Sequence, residues 1–368
     1  FEHKRCRERL TGLFKTLSLE GFGCEDMKAG VCAAGALVFY LRETQKQSAE
    51  HFLSIETYTI DKYLLIDETS CRNLEILKNI RTGSKQGTLL AILDRTATPM
   101  GGRLMRRWLG YPLLDRDEII SRLDAVDEAK NDVQARRSIR ENLKSVYDLE
   151  RLGSKIVMGH SNARDLVALK NSLFALPLIR AGIMHFKAGF FKWDPDLEAL
   201  SLLADLIDKA IREDAPPVIN EGGIIKSGYN AELDNLIRTG KEGRSLLAEL
   251  EAREREETKI NSLKIRYNKI FGYYIEVSKS QAKLVPPRYI RKQTLVNAER
   301  YITDELKQYE MGVLSSGERR STLEYELFCG IREEAGKHNP AIQQAAGFIA
   351  SLDCIAGFAE IAHEYNYT

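Results

Sequence analysis

Residues 258–309 carry the strongest chemical signal in the chain. Eleven of them are basic (Lys259, Lys264, Arg266, Lys269, Lys279, Lys283, Arg288, Arg291, Lys292, Arg300 and Lys307) and four are acidic (Glu276, Glu299, Asp304 and Glu305), a net of +7. The whole chain of 368 residues carries only +1, so everything outside this segment sums to −6. Ser278, Ser280, Gln281, Tyr289, Gln293 and Asn297 are interleaved with the cations. Ammonium and guanidinium groups neutralise phosphates and release counterions, while neutral donors add hydrogen bonds to phosphate oxygens. The set suits a polyanion's backbone. It suits a solubilising basic surface equally well, and composition does not choose between them. No recognition helix is evident in the segment, so backbone contact rather than base readout is the expected mode.

Other chemistries find little support. The six cysteines (Cys6, Cys24, Cys32, Cys71, Cys329 and Cys354) form no CxxC pair and the six histidines are scattered, so no metal is expected, and the thiols read as free in a reducing compartment. Neither GxGxxG nor GxxxxGK[ST] occurs, and Asn220-Glu221-Gly222-Gly223 reads as a turn rather than a phosphate loop. Asp304 and Glu305 are paired carboxylates, but both fall in the first turn of a helix, where the dipole accounts for them. No catalytic residue and no cofactor site is assigned, and the chain is not read as an enzyme. Arg103, Arg106 and Arg107 offer a second phosphate-binding candidate, for which a solvated helix face with local ion pairs is the preferred reading.

The elements that must position the basic segment are helical. Hydrophobic residues make up 43% and charged residues 29%, the profile of a soluble globular protein with two or three domains. No signal peptide is visible, and the longest apolar run, Ala29 to Leu41, has thirteen residues, too few to span a bilayer. The chain opens on Phe1 rather than Met and reads as a fragment. Within it, Ala33, Leu37 and Leu41 mark one helix face; Thr98 and Pro99 form an N-cap and N1 pair, with Met100, Leu104 and Trp108 on the apolar side. Further helices are expected over Asp117–Asn131, Val133–Arg151, Ala163–Leu176 (stopped by Pro177) and Asp196–Arg212 (started by Pro195), until Pro216-Pro217 closes the series. Tyr229 to Glu257 then reads as one helix of twenty-nine residues, a rod of roughly 43 Å at about 1.5 Å per residue. Leu233, Ile237, Leu247 and Leu250 form its stripe, and Arg253 to Glu257 give a fully polar tip that is expected to project into water. A second long helix runs from the capping Thr303 to about Glu334, with Gly312 and Gly317 as weak points, and a small-residue core helix spans Pro340–Tyr365. Between the rods, Ser262–Asn268 and Tyr273–Ser278 alternate apolar and polar residues with one parity, a hairpin turning over Asn268–Gly272, and Thr294-Leu295-Val296 is a candidate third strand.

Several blocks resemble the MutS family of DNA mismatch-repair proteins: Phe271-Gly272-Tyr273-Tyr274-Ile275-Glu276-Val277, Gln293 to Tyr301, Asp94 to Leu109, Gly222-Gly223 with Ser227 to Asp234, and Gly21-Phe22-Gly23 with Cys32-Ala33-Ala34-Gly35. They occur in the family's order and cover nearly the whole chain. The resemblance implies a mainly α fold: a long-helix lever and core bundle, a small antiparallel β clamp inserted between two long helices, and the helical end of an α/β connector domain. It implies domains at 1–53 (connector), 54–257 (lever and core, first part), 258–309 (clamp) and 310–368 (lever and core, second part). It further implies a bacterial cytoplasmic homodimer closing around duplex DNA (mismatched or nicked for the whole protein), with a MutL-type partner and no membrane. ATP and Mg belong to the full-length family's ATPase, expected beyond Thr368. The mismatch reader is expected before residue 1, since Phe1-Glu2-His3 does not fit its Phe-x-Glu motif. DNA-backbone contact is carried over to Lys279, Ser280, Arg288, Arg291, Lys292 and Asn297, while Tyr273, Ile275 and Tyr301 go to the clamp's own core. Two other readings stay open: a family relative acting in recombination, and a helical protein-binding scaffold on which the basic cluster is incidental.

Overall fold

The computed structural model describes the chain except for residues 1, 46–51, 53, 54, 56, 58, 59, 219–221, 269–271 and 368, and describes the backbone alone at 45, 60, 244 and 311–315. In chain order the helices are α1 (His3–Phe14), α2 (Lys28–Gln45), α3 (Glu68–Asn73), α4 (Leu89–Leu93), α5 (Pro99–Gly110), α6 (Arg116–Asn131), α7 (Val133–Leu143), α8 (Leu149–Val157), α9 (Ala163–Ile183), α10 (Leu197–Ala210) and α11 (Ala231–Thr258). Strands β1 (Lys264–Asn268), β2 (Gly272–Ser278), β3 (Ile290–Thr294) and β4 (Ala298–Ile302) follow, and then α12 (Asp304–Lys337) and α13 (Asn339–Glu364). The protein is mainly α with one small antiparallel sheet between two long helices, as expected. The backbone divides into two compact units: residues 1–161, 171–202 and 335–368 form the first, and 162–170 with 203–334 the second.

In the first unit α1 packs on α2 through Cys6, Leu10 and Leu13 against Val31 and Val38. This corrects the face read from the sequence, because Leu37 is exposed and the buried positions are Val31, Gly35 and Val38. Helix α2 is apolar nearly all round, so periodicity alone does not choose a face. Gly35 does: a Cβ there would overlap Cys6, so only glycine lets the two helices come this close. The centre of the unit is α13, which packs against α4 to α8. Ala345, Ala346, Ala350 and Ala356 are buried along it, the small side chains that allow several helices to approach one. By length and hydropathy α13 would pass for a membrane span, but its apolar window is 72% buried inside the protein, as befits a core helix.

Polar groups fix the joints of this bundle. The Asp353 carboxylate, fully buried on α13, accepts from the Ala97 and Thr98 amides (2.8 and 2.7 Å) and from the Thr98 hydroxyl (2.7 Å). Thr98 Oγ1 in turn accepts from Gly101 N at 3.0 Å, so the expected cap of α5 is also its anchor to the core. Arg136, 1% exposed, donates to the last carbonyls of α6 at Ala129 (2.9 Å) and Lys130 (2.8 Å) and pairs with Glu360 at 2.8 Å. Arg103 donates to both oxygens of Asp148 (2.6 and 2.8 Å) and to Glu150 (2.5 Å), which is the local ion-pair reading of that arginine.

Two helix boundaries differ from expectation. The single helix expected over Val133–Arg151 is two, because Asp148 caps α8 through Arg151 N (3.2 Å) while holding Arg103. Pro177 does not stop α9 but lies inside it, exposed. Leu173, Leu176, Ile179 and Ile183 are buried around it, and their packing outweighs the one backbone hydrogen bond a proline removes.

In the second unit α11 and α12 run antiparallel. Near one end Arg319 donates to Glu232 at 2.7 Å, and near the other Arg253 pairs with Glu305. Buried Glu324 on α12 accepts from the amides of Ile224 and Ile225 (2.5 and 3.1 Å), fixing the approach to α11. Asn230 then caps α11 through Leu233 N at 2.9 Å. Of the turn expected at Asn220–Gly223, Asn220 and Glu221 lie outside the described residues, while Gly222 and Gly223 both take positive φ (71° and 76°).

Burial pushes the Asp148 carboxyl up, but the hydrogen bonds from Arg103 and the Arg151 amide, together with the two arginine charges, outweigh it and hold it below the usual range. A carboxyl whose folded-state pKa is depressed stabilises above its unfolded pKa, and that stability is lost as pH falls through the folded value. Asp148→Asn keeps a capping side chain and loses the charge. It should cost about 1 kcal/mol at neutral pH, given Arg103's partial exposure, and should flatten the acid side of a urea-midpoint-against-pH profile.

Candidate nucleic-acid interface

The basic segment folds as a four-stranded antiparallel sheet in the order β1-β2-β4-β3, which leaves β1 and β3 as edges. The hairpin expected from the alternating parity is present, with Lys264 opposite Glu276 and Tyr267 opposite Tyr273. Residues 269–271 of its turn, Lys269 included, lie outside the described residues. Gly272 is needed where it stands: its φ is +74°, and a Cβ would overlap the Glu310 carboxylate that accepts from Tyr273 N at 3.0 Å. The expected third strand is displaced. Leu295 and Val296 form the turn of a β3–β4 hairpin, closed by Leu295 N to Ala298 O at 2.8 Å, and Val296 is 85% exposed. β4 was not expected from the sequence, because Ala298-Glu299-Arg300-Tyr301-Ile302 sets two polar and two apolar residues side by side instead of alternating them.

One face of the sheet closes a small core. Leu247 and Leu250 of α11, Ile260 and Leu263, Ile275 and Val277 of β2, Tyr289, Tyr301 and Leu306 are all buried together, with Tyr273 packed against them. Tyr273, Ile275 and Tyr301 therefore serve the module's own core, as assigned. On the other face Glu276 lies between Arg266 and Arg300 (3.4 Å each), Arg300 reaches Gln293 at 2.8 Å, and its guanidinium sits 4.4 Å over the Tyr274 ring.

The charged tip of α11 is only partly in water: Arg253, Glu256 and Glu257 are exposed, but the side of the helix carrying Glu251, Glu254 and Arg255 is bonded to the sheet module. Glu251 accepts from Ile265 N at 2.7 Å and Arg255 donates to Leu263 O at 2.6 Å, so consecutive turns hold the backbone leading into β1. Lys259 ends the helix in the left-handed conformation, φ 55°. Glu254 is buried and accepts from the Tyr289 hydroxyl (2.7 Å) and from Arg288 (2.7 Å), and Arg288 also reaches Glu257 at 2.8 Å. These hydrogen bonds, Glu254 foremost, push the Arg288 guanidinium up, and burial followed by the Glu254 bond pushes the Tyr289 phenol up. Burial and a hydrogen bond to Glu299 push Tyr301 up to about 12.

The described cations separate by type, except for Lys307, which lies 4.0 Å from Asp304 in the first turn of α12. Arg266, Arg288, Arg291 and Arg300 each contact a carboxylate, Arg291 loosely at 3.8 Å from Glu299. Among the described residues, Lys259, Lys264, Lys279, Lys283 and Lys292 are exposed and enter neither an ion pair nor a side-chain hydrogen bond. Of the six residues carried over as backbone contacts, the fold brings Lys279, Ser280 and Asn297 together: Lys279 N donates to Asn297 O at 3.1 Å, and Ser280 Oγ lies 3.0 Å from Ser278 Oγ. Lys292 occupies a bulge in edge strand β3, where the register slips between Arg291 and Gln293, a device that turns a side chain outward. Arg291 is exposed on the same edge, and Arg288 precedes it, fastened to α11. Lys259, Lys264 and Lys283 are further exposed cations not singled out from the sequence; their charge was visible there, their lack of partners was not.

The MutS domain III family model matches residues 69–359, most of the chain and the whole of this sheet, and the MutS domain II model matches residues 1–53. The chain belongs to the MutS family. It is 53% identical over its whole length to the DNA mismatch repair protein MutS of Desulforapulum autotrophicum, and covers 42% of that protein. The MutS proteins of Desulfosudis oleivorans (48% identical) and Symbiobacterium thermophilum (46%) are likewise matched over the full chain and 42% of their own length. The chain thus spans about two-fifths of the length of the curated MutS relatives it matches.

Glu251→Ala leaves the Ile265 amide without its acceptor, at a cost of about 1–3 kcal/mol. Hydrogen exchange should show β1 and β2 amides of the variant opening faster while those of α13 stay unchanged.

Proposed function

We propose that the sheet module grips duplex DNA through its sugar-phosphate backbone, without reading sequence. The observation that supports this most directly is the set of five exposed lysines free of carboxylate partners on a protein whose net charge is only +1. Lysine is a compact, strongly hydrated point charge that meets phosphates from many directions, whereas an arginine already paired with a carboxylate has part of its charge offset and fewer donors to offer. On this reading Lys279, Ser280, Lys292 and Asn297 touch phosphate, Arg291 joins them from the edge of β3, and Arg288 takes part while bound to α11. Residues 258–309 act as the clamp, 54–257 and 310–368 as lever and core, and 1–53 as the end of the connector. In the whole protein the clamp and lever connect mismatch recognition to an ATPase within a cytoplasmic homodimer that also meets a MutL-type partner.

Duplex binding should be weak and should fall steeply with salt, whatever the sequence. Replacing Lys279 and Lys292 with Ala should weaken binding alike on unrelated duplexes and reduce the slope of log K against log salt by about 1 per lysine. Fluorescence anisotropy over a salt series checks this; a change in sequence preference, or an unchanged slope, contradicts backbone recognition.

A further inference from the structure

Resting on the DNA-gripping reading above, the geometry points to Arg288 as a positioning residue: a phosphate bound at the sheet displaces Glu257 from its guanidinium while Glu254 keeps it, so that occupancy of the sheet reaches the last turn of α11. A single terminal nitrogen, Nη2, donates to both carboxylates, at 2.7 Å to Glu254 Oε2 and 2.8 Å to Glu257 Oε2. A guanidinium carries five N–H donors in a planar fork, and the Arg288 side chain is 51% exposed, so donors remain for an incoming anion.

The two carboxylates are not equivalent. The Glu254 side chain is 5% exposed and is also held by the Tyr289 hydroxyl at 2.7 Å; removing Arg288 from it leaves a buried charge uncompensated, which is strongly unfavourable. The Glu257 side chain is 49% exposed, and an exposed pair of this kind is weak and screened by salt. When a phosphate approaches, Glu257 is therefore the partner that yields. It lies in the final turn of α11, two residues before the left-handed Lys259, so the exchange changes the contacts of the helix end and leaves the sheet core intact.

The test is a double-mutant cycle read by the affinity of a short fluorescent duplex at low salt. Glu257→Gln frees the guanidinium from its exchangeable partner and should tighten binding by about threefold. In a background carrying both Glu254→Gln and Arg288→Met, where the buried charge and its partner are removed together so that the fold is kept, the same Glu257→Gln change should have no effect. Equal tightening in both backgrounds would mean only that a negative charge near DNA had been removed, and no tightening in either would mean that Glu257 does not compete; each result overturns the proposal. Failure of the parent protein to bind duplex at all is a different outcome. It overturns the DNA-gripping reading itself, and this inference with it.

Discussion

At the end of α11, carboxylates and guanidiniums that belong to a helix are bonded to the backbone and side chains of a sheet. Glu251 and Arg255 hold the strand-side backbone at Ile265 and Leu263, and buried Glu254 gathers Tyr289 and Arg288 from the segment before β3. A four-stranded sheet of some forty residues buries little apolar surface by itself. Its core is completed by Leu247 and Leu250 from the same helix, and the polar bonds set the angle and register at which those leucines meet Ile275 and Val277. If the helix end were only a solvated tip, the sheet would be tethered; with these bonds it is built onto the rod.

That construction decides which charges are available. Arginine, with a planar fork suited to carboxylates, fastens the sheet internally: Arg266 and Arg300 on Glu276, Arg288 on Glu254 and Glu257. Lysine, apart from Lys307 beside Asp304, is left at the periphery: Lys292 in the bulge of β3, Lys279 at the start of the short 3-10 helix after β2, and Lys259 at the end of α11. A count of positive residues in the segment therefore overstates what a phosphate would encounter, and the position of the lysines describes it better. The same economy of polar groups runs through the first unit, where Asp353, Arg136 and Asp148 satisfy helix ends rather than ligands.

Much of the architecture was legible in the sequence because local rules agree with the fold. Thr98-Pro99 sits where a cap belongs, and the shared parity of Leu263, Ile265, Ile275 and Val277 marks one buried face of a hairpin. The misreadings come from long-range partners that a linear pattern does not contain. The polar run Arg253 to Glu257 looks solvated until Tyr289 and Arg288 fold onto it. Helix α2 offers apolar residues on every side, and Gly35 against Cys6 selects the face. Pro177 looks like a terminator because the packing that retains it comes from other elements. Leu295 and Val296 are good strand formers placed in a turn by the pairing of β3 with β4. In the candidate site the residue types were readable, but whether each cation already has a carboxylate partner depends on the tertiary fold.

If the unpartnered lysines of the sheet module meet the DNA backbone, mapped lysine acetylation with and without duplex will show it. Duplex DNA should shield Lys259, Lys264, Lys279, Lys283 and Lys292 from the reagent, high salt should remove the shielding, and Lys4, Lys62 and Lys78 should react equally in both states. Shielding spread evenly over the chain's lysines, or confined to those outside the sheet, would contradict it.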